Sequence, residues 1–260
     1  MNELTNILFL IFLSLLIFDF FLFLLSVALK KQDIADVFWG IKFIIISLVA
    51  LLLSSEVSIY GLIIFFIVLI WGVRLSIHIG LRNLKKGEDP RYKEISKDWG
   101  SFFYPRSFLQ NFVFQSILAI AVTLPVINTI IFTKSMSNVF LFFGLLIWAF
   151  GFMFEVISDL ELKRFLRDKQ NKGKIMQAGL WAYSRHPNYF GEIVLWWGIY
   201  IISIQANIFS IINLIGPITI TLLIVFVSGI PPLERKYKDN KEYQSYARKV
   251  SILIPLPTKK

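Results

Sequence analysis

Seven long apolar runs leave this chain little choice of fold. They are Ile7–Leu29, Phe38–Leu53, Ile59–Gly80, Phe108–Phe132, Val139–Ile157, Tyr189–Ile204 and Ile208–Ile230. A bilayer core roughly 30 Å thick takes about 20 helical residues to cross. Inside it, backbone amides are satisfied only within a helix or a closed barrel. The runs are continuous rather than alternating, so the expectation is an all-α, polytopic membrane bundle of about seven transmembrane helices. The second and sixth runs are short for a full crossing. Of 260 residues, 56% are hydrophobic, and the polar stretches between runs are too short for an independent core. Residues 1–260 therefore read as a single membrane domain. Residues 1–107 carry the N-terminal helices and an acidic-aromatic loop, and residues 108–260 the remaining helices and the tail.

The Lys and Arg residues orient the bundle. Lys30 and Lys31 follow the first run, and Ser54–Ser58 after the second holds no basic residue. Leu81–Ser107 holds Arg82, Lys85, Lys86, Arg91, Lys93, Lys97 and Arg106, and only Lys134 follows the fourth run. Ser158–Asn188 is again basic, Gln205–Asn207 is not, and the tail after Pro231 is. Basic and non-basic loops alternate, as the positive-inside rule requires of seven spans. The N-terminus is then outside and the C-terminal tail cytoplasmic. The net charge of +10 reads as this signal plus attraction to anionic membrane lipid, not as a nucleic-acid surface. The first run is too long for a signal-peptide core, lacks a basic lead and is followed by Lys30-Lys31, so it reads as a retained helix. With no Cys, disulfides, thiolate metal sites and a Cys nucleophile are excluded. Two His without suitably spaced carboxylates give no expectation of a metal site. No obligate protein partner is evident.

A charge at a helix centre costs roughly 2.5–3.5 kcal/mol on insertion scales, so the polar residues in apolar runs carry information. Asp19 lies in the middle of the first run and calls for an interhelical hydrogen bond or for Arg74 as partner. Arg74 and His78 share one helix face. Glu155 and Asp159 recur along a helix leaving the membrane, followed by Lys163, Arg164 and Arg167, which are long enough to reach phosphates.

The densest polar sequence at a run boundary is GLWAYSRHPNYFGE, Gly179–Glu192. Pro187 suits the first turn of a helix, where its missing N–H has no partner anyway. The helix N-terminus it starts attracts anions, and Arg185 and His186 add donors. Asn188 and Glu192 stand one turn apart, about 6 Å along the axis. An amide and a carboxylate so placed suit a carboxamide, a ribose hydroxyl or an amine. Gly191 between them permits close backbone approach. With neither a G-x-G-x-x-G nor a P-loop, any nucleotide is held by some other architecture. Glu88–Tyr92, EDPRY, reads either as a turn that delivers Tyr92 or Glu88 to a substrate or as a plain connecting loop. After Pro231-Pro232, Glu234–Lys249 reads as one short basic amphipathic helix, either lying on the membrane or folding over a ligand as a lid.

GLWAYSRHPNYFGE with Trp196-Trp197-Gly198 resembles the signature of the DUF1295 membrane proteins, relatives of the steroid 5α-reductases and sterol C-14 reductases. DVFWG at Asp36–Gly40, WGVRL at Trp71–Leu75, EDPRY, the Asp159 region, SGIPPLE at Ser228–Glu234 and LIP at Leu253–Pro255 extend the resemblance. It implies a seven-helix bundle holding NADPH among its C-terminal helices and cytoplasmic loops. Asn188, Tyr189 and Glu192 would line the nicotinamide end. Asp159, Arg164, Arg185 and His186 would hold ribose and phosphates beside Trp181. Arg235, Tyr246 and Arg248 would close from the tail. The reaction implied is hydride transfer to the β-carbon of a carbonyl-conjugated double bond in a lipophilic substrate, then protonation at the α-carbon. Tyr92 and Glu88 are the candidates to stabilise the enolate. The isoprenylcysteine and phospholipid methyltransferases share the Arg-His-Pro motif and a tail ending in LIP. They supply the alternative, an S-adenosylmethionine-dependent methyltransferase. A lipid-binding or assembly protein that kept the fold is the third reading. The membrane expected is a bacterial inner membrane or, in a eukaryote, the endoplasmic reticulum.

Overall fold

The apolar runs fold as helices, and the polar interruptions set where those helices begin, bend and end. The computed structural model describes residues 2–83, 97, 99–133, 138–204 and 209–258. Among the described residues there is no strand, only an isolated parallel bridge between Ser184 and Ser251. Five helical stretches are long and apolar enough to cross a membrane: Leu4–Leu29, Ile59–Asn83, Gly100–Phe132, Asn138–Arg167 and Ile215–Lys236. The chain is an integral membrane protein by that measure. It divides into two compact units, Met1–Met136 with Asn207–Ile215, and Ser137–Ala206 with Gly216–Lys260.

The first unit contains α1 (Asn2–Leu29), the single turn α2 (Ile34–Val37), α3 (Trp39–Leu53), α4 (Ile59–Asn83), α5 (Gly100–Phe132) and the single turn α8 (Phe209–Ile212). Phe43, Ile46, Ile64, Val68, Trp71, Phe112 and Val126 fill its interior. Helices α3 and α4 come closest at Gly40 and Gly72, where a Cβ on Gly72 would lie 2.6 Å from the Gly40 carbonyl. Asp19 does not take Arg74 as its partner. Its fully buried carboxylate pairs with Lys42 Nζ at 2.7 Å. Lys42 also donates to the Phe112 carbonyl and to Ser116 Oγ, each at 2.9 Å. Ser116 Oγ in turn donates to Asp19 Oδ2 at 2.5 Å, so ammonium, hydroxyl and carboxylate form one buried network. The Phe112 carbonyl lies in a π-helical turn, Phe108–Val113, whose wider ladder is a departure from regular α-helix. Gln32 accepts a hydrogen bond from Ser107, and Asn128 donates to Asn213.

The seventh apolar run is not one continuous helix. The chain turns at Asn213-Leu214 and restarts as α9 (Ile215–Leu222). The buried Asn213 is held by Asn128, and Pro217 sits in the first turn of α9, the part of a helix that tolerates it.

The second unit contains α6 (Asn138–Arg167), α7 (Pro187–Ile202), α9, α10 (Ile230–Lys236) and α11 (Lys241–Lys249). Helix α6 runs through the apolar stretch and ten residues beyond Ile157, carrying Asp159 and Arg164 with it. Helix α7 starts at Pro187, as its sequence dictates. The tail beyond Pro231-Pro232 is two helices, not one. Asn240 ends the turn after α10 and caps α11, its Oδ1 accepting from the Tyr243 amide at 3.0 Å. A competent N-cap here starts a new helix.

Candidate functional site

Four glycines bring α6 and α7 into backbone contact. Gly144 and Gly151 on α6 face Gly191 and Gly198 on α7, each pair two turns apart and so on one face. A Cβ on Gly151 would lie 2.5 Å from the Leu195 amide nitrogen. One on Gly191 would lie 2.5 Å from that of Glu155, and one on Gly198 2.5 Å from that of Trp148. Small residues permit such approach where lipid offers helices no hydrophobic reason to associate. The close approach for which Gly191 is suited is thus taken by α6. It brings the Glu155 backbone beside the turn that carries Glu192. Glu155, Asp159 and Glu192 are 2%, 5% and 9% exposed, so this unit buries three carboxylates.

The loop from α6 to α7 is tied down before it reaches Arg185. The Leu180 amide donates to Glu161 Oε2 at 2.9 Å, and Trp181 Nε1 to the Ser158 carbonyl at 3.0 Å. Gly179 has φ of +61° and sits against the Glu161 carboxylate, a conformation and a space that suit glycine. Beyond α11 the chain returns along this loop. The Arg185 amide donates to the Ser251 carbonyl (2.8 Å), Ser184 Oγ to that of Leu253 (2.7 Å) and the Leu256 amide to that of Tyr183 (3.0 Å).

Glu234 occupies the centre of the resulting site. Arg185 Nη1 donates to its Oε2 at 2.6 Å, and His186 Nε2 donates to its Oε1 at 2.9 Å. The Tyr243 hydroxyl donates to the same Oε1. The Arg185 guanidinium lies 5.9 Å from the centre of the Tyr243 ring, within cation–π range. The His186 ring stacks on Tyr189 at 5.6 Å and 19°. Tyr246 is buried, and its hydroxyl reaches the carbonyls of Trp181 and Ser184. Burial, and then the hydrogen bond to Glu234, push the Tyr243 phenol above its usual range. Burial raises Tyr246 likewise, against the pull of Arg185.

The structure therefore gathers Trp181, Arg185, His186, Tyr189 and Tyr246 into one connected site. Asn188 is half-buried in the first turn of α7, with Glu192 one turn on. Arg164, Arg235 and Arg248 are exposed. Glu88 and Tyr92 lie outside the described residues. Glu234 and Tyr243 are additions that the sequence did not single out. Their local signal is faint: a Glu on the turn opened by Pro231-Pro232, and a Tyr three residues after a good N-cap. Tyr243 and Tyr246 pack with Val250 against Ile175, Tyr237 and Ala247, so α11 turns its aromatic face into the protein and not onto a membrane.

Fold and site together define an all-helical integral membrane protein with a charged, tyrosine-backed cluster where a glycine-packed helix begins. The chain belongs to the DUF1295 family: residues 22–250 match the family model described as "Protein of unknown function (DUF1295)". Parts of it are similar to two curated proteins. It is 36% identical over 56 residues to the probable O-methyltransferase ustE of Ustilaginoidea virens, covering 22% of this chain and 20% of that one. It is 32% identical over 73 residues to 3-oxo-5-alpha-steroid 4-dehydrogenase 1 of Mus musculus, covering 27% and 29%. The chain thus spans less than a third of either relative. No solved structure matches it.

Proposed function

We propose that this protein is an NADPH-dependent membrane reductase acting on the carbonyl-conjugated double bond of a lipophilic substrate. The carrying observation is the cluster of Arg185, His186, Glu234 and Tyr243 at the start of α7. Arg185 Nε is buried without a hydrogen-bond partner. A helix start adds amides with no intrahelical acceptor. That surplus of donors fits an anionic ligand. Similarity to the mouse 3-oxo-5-alpha-steroid 4-dehydrogenase supports the redox class.

In this reading Arg185 and His186 hold phosphate. Asn188, Tyr189 and Glu192 orient the nicotinamide end, Asp159 and Trp181 support the ribose, and Arg164, Arg235 and Arg248 approach from the loop and tail. NADPH, when bound, supplies the hydride. Glu88 or Tyr92 holds the proton or hydrogen bond that stabilises the developing enolate oxygen. The chain crosses the membrane seven times, with its N-terminus outside, and this site lies on the cytoplasmic side. A second reading, an S-adenosylmethionine-dependent methyltransferase, is favoured by one specific observation, the similarity to ustE.

Thermal unfolding of the detergent-purified chain separates them, because a ligand that binds only the native state stabilises it by about 2.7 kcal/mol at 100 times its Kd. The expected result is a rise in Tm with NADPH and none with S-adenosylmethionine. The reverse result replaces the reductase with the methyltransferase. No rise with either, in a sample that unfolds cooperatively, overturns both.

A further inference from the structure

The segment after α11 offers a surface that the cluster around Glu234 does not use. Residues 250–257, VSILIPLP, run along residues 183–185 through the Ser184–Ser251 bridge and the three hydrogen bonds described above. The chain bends at residues 252–254 beyond that bridge, and burial alternates from residue to residue. Ser251, Leu253 and Pro255 are half-buried, whereas Ile252, Ile254 and Leu256 are 43%, 59% and 52% exposed. Tyr183, whose carbonyl holds the Leu256 amide, is also exposed. The outcome is a ridge of large apolar side chains on the outer edge of a strap.

The position of that ridge is fixed by its anchors. Residues 183–185 immediately precede Pro187, the first residue of the apolar helix α7. The same loop is bound to α6 at Ser158 and Glu161, where its apolar run gives way to charge. Ile157 and Leu160 there are still exposed. The strap thus lies level with the ends of two apolar helices, the depth at which amphipathic groups settle in a bilayer. Arg248 and Lys249, exposed at the end of α11, precede it directly, and cations at this level attract anionic headgroups.

We propose that residues 250–257 form an interfacial strap. Ile252, Ile254, Leu256 and Tyr183 enter the boundary between headgroups and acyl chains, and Arg248 and Lys249 engage anionic headgroups. Because the strap's carbonyls hold Ser184 and Arg185, lipid contact steadies the loop that carries Arg185 and His186.

The chain contains no cysteine, so Ile252→Cys, Ile254→Cys and Leu256→Cys each give one attachment site for a nitroxide. The full chain is placed in nanodiscs of phosphatidylcholine, with or without phosphatidylglycerol. Collision with oxygen, which concentrates in lipid, is compared with collision with a water-soluble nickel chelate. Oxygen should dominate at all three positions, more so with phosphatidylglycerol. Arg248→Gln with Lys249→Gln should remove the dependence on phosphatidylglycerol. Dominance of the nickel chelate places the strap in water and overturns the proposal. Protection from both reagents assigns the ridge to a protein contact and overturns it too.

Discussion

Glu234 accepts hydrogen bonds from three side chains, and each can be removed separately. A hydrogen bond to a charged group contributes about 1.5–3 kcal/mol, and the one-quarter exposure of this carboxylate puts the expectation at the lower end. Glu234→Gln should lower the unfolding free energy by about 1–2 kcal/mol on that basis, seen as a lower Tm in detergent. Tyr243→Phe, removing a single hydroxyl, should cost about 1 kcal/mol. The phenol also predicts a pH dependence. The folded protein holds the Tyr243 proton more tightly than the unfolded chain, which releases it near pH 10. Its stabilising contribution is complete below that pH and is lost as pH rises toward the folded value. The gap in stability between wild type and Tyr243→Phe should therefore shrink above about pH 10; a constant gap would refute the raised phenol. The ion pair in the first unit gives a separate test. Lys42→Met leaves the Asp19 carboxylate buried and unpaired, at a cost of about 3–5 kcal/mol, whereas adding Asp19→Leu should restore much of it. A double variant as unstable as Lys42→Met alone would show that the pair is not what Lys42 satisfies.

Helix pairs depend on what lies between them, and for α6 and α7 that is backbone. Gly191→Ala puts a methyl group 2.5 Å from the Glu155 nitrogen. Backbone cannot step aside as a side chain does, so the helices must separate, at about 1–3 kcal/mol for such overpacking. The loss should appear as a drop in Tm and, on the proposed function, as a smaller rise in Tm with NADPH. A Tm unchanged from wild type would mean that the helices are not packed at Gly191. These glycines also show the limits of reading the sequence. Runs of apolar residues announced the helices, and Pro187 announced where α7 begins, because both signals are local. Gly191 announced a close approach but not its partner, since nothing in a seven-residue spacing says which helix will face it. Asp19 likewise demanded a partner, and Lys42 rather than Arg74 answered. Glu234 looked like one acid in a basic tail. Its role arises only when α10 is set beside the loop at Arg185, a pairing across 49 positions that leaves no local trace. The break between α10 and α11 was closer to legible, because Asn240 is a strong N-cap.

At the scale of the whole molecule, helix length bears on the number of crossings. Helices α3 and α7 have 15 and 16 residues, or about 23 Å at 1.5 Å per residue, against a hydrocarbon core of roughly 30 Å. A short helix is accommodated by thinning the bilayer around it or by snorkelling residues at its ends, each at a modest cost. Burial gives α7 further relief, because nine of its residues, Trp196 among them, are buried and do not need lipid of matching thickness. The alternation of basic loops favours full crossings for both, since dropping either one reverses every loop that follows. Single cysteines again make the test clean. With a membrane-impermeant maleimide on sealed cells, Ser55→Cys and Ala206→Cys should label from outside, and Gln177→Cys and Thr258→Cys only after the membrane is opened. Labelling of Ser55→Cys and Gln177→Cys from the same side would show that the helices between them cross an even number of times. Labelling of Ala206→Cys and Gln177→Cys from the same side would remove α7 from the spans. The first result would also move the Arg185 site relative to the cytoplasm, on which the proposed use of NADPH depends.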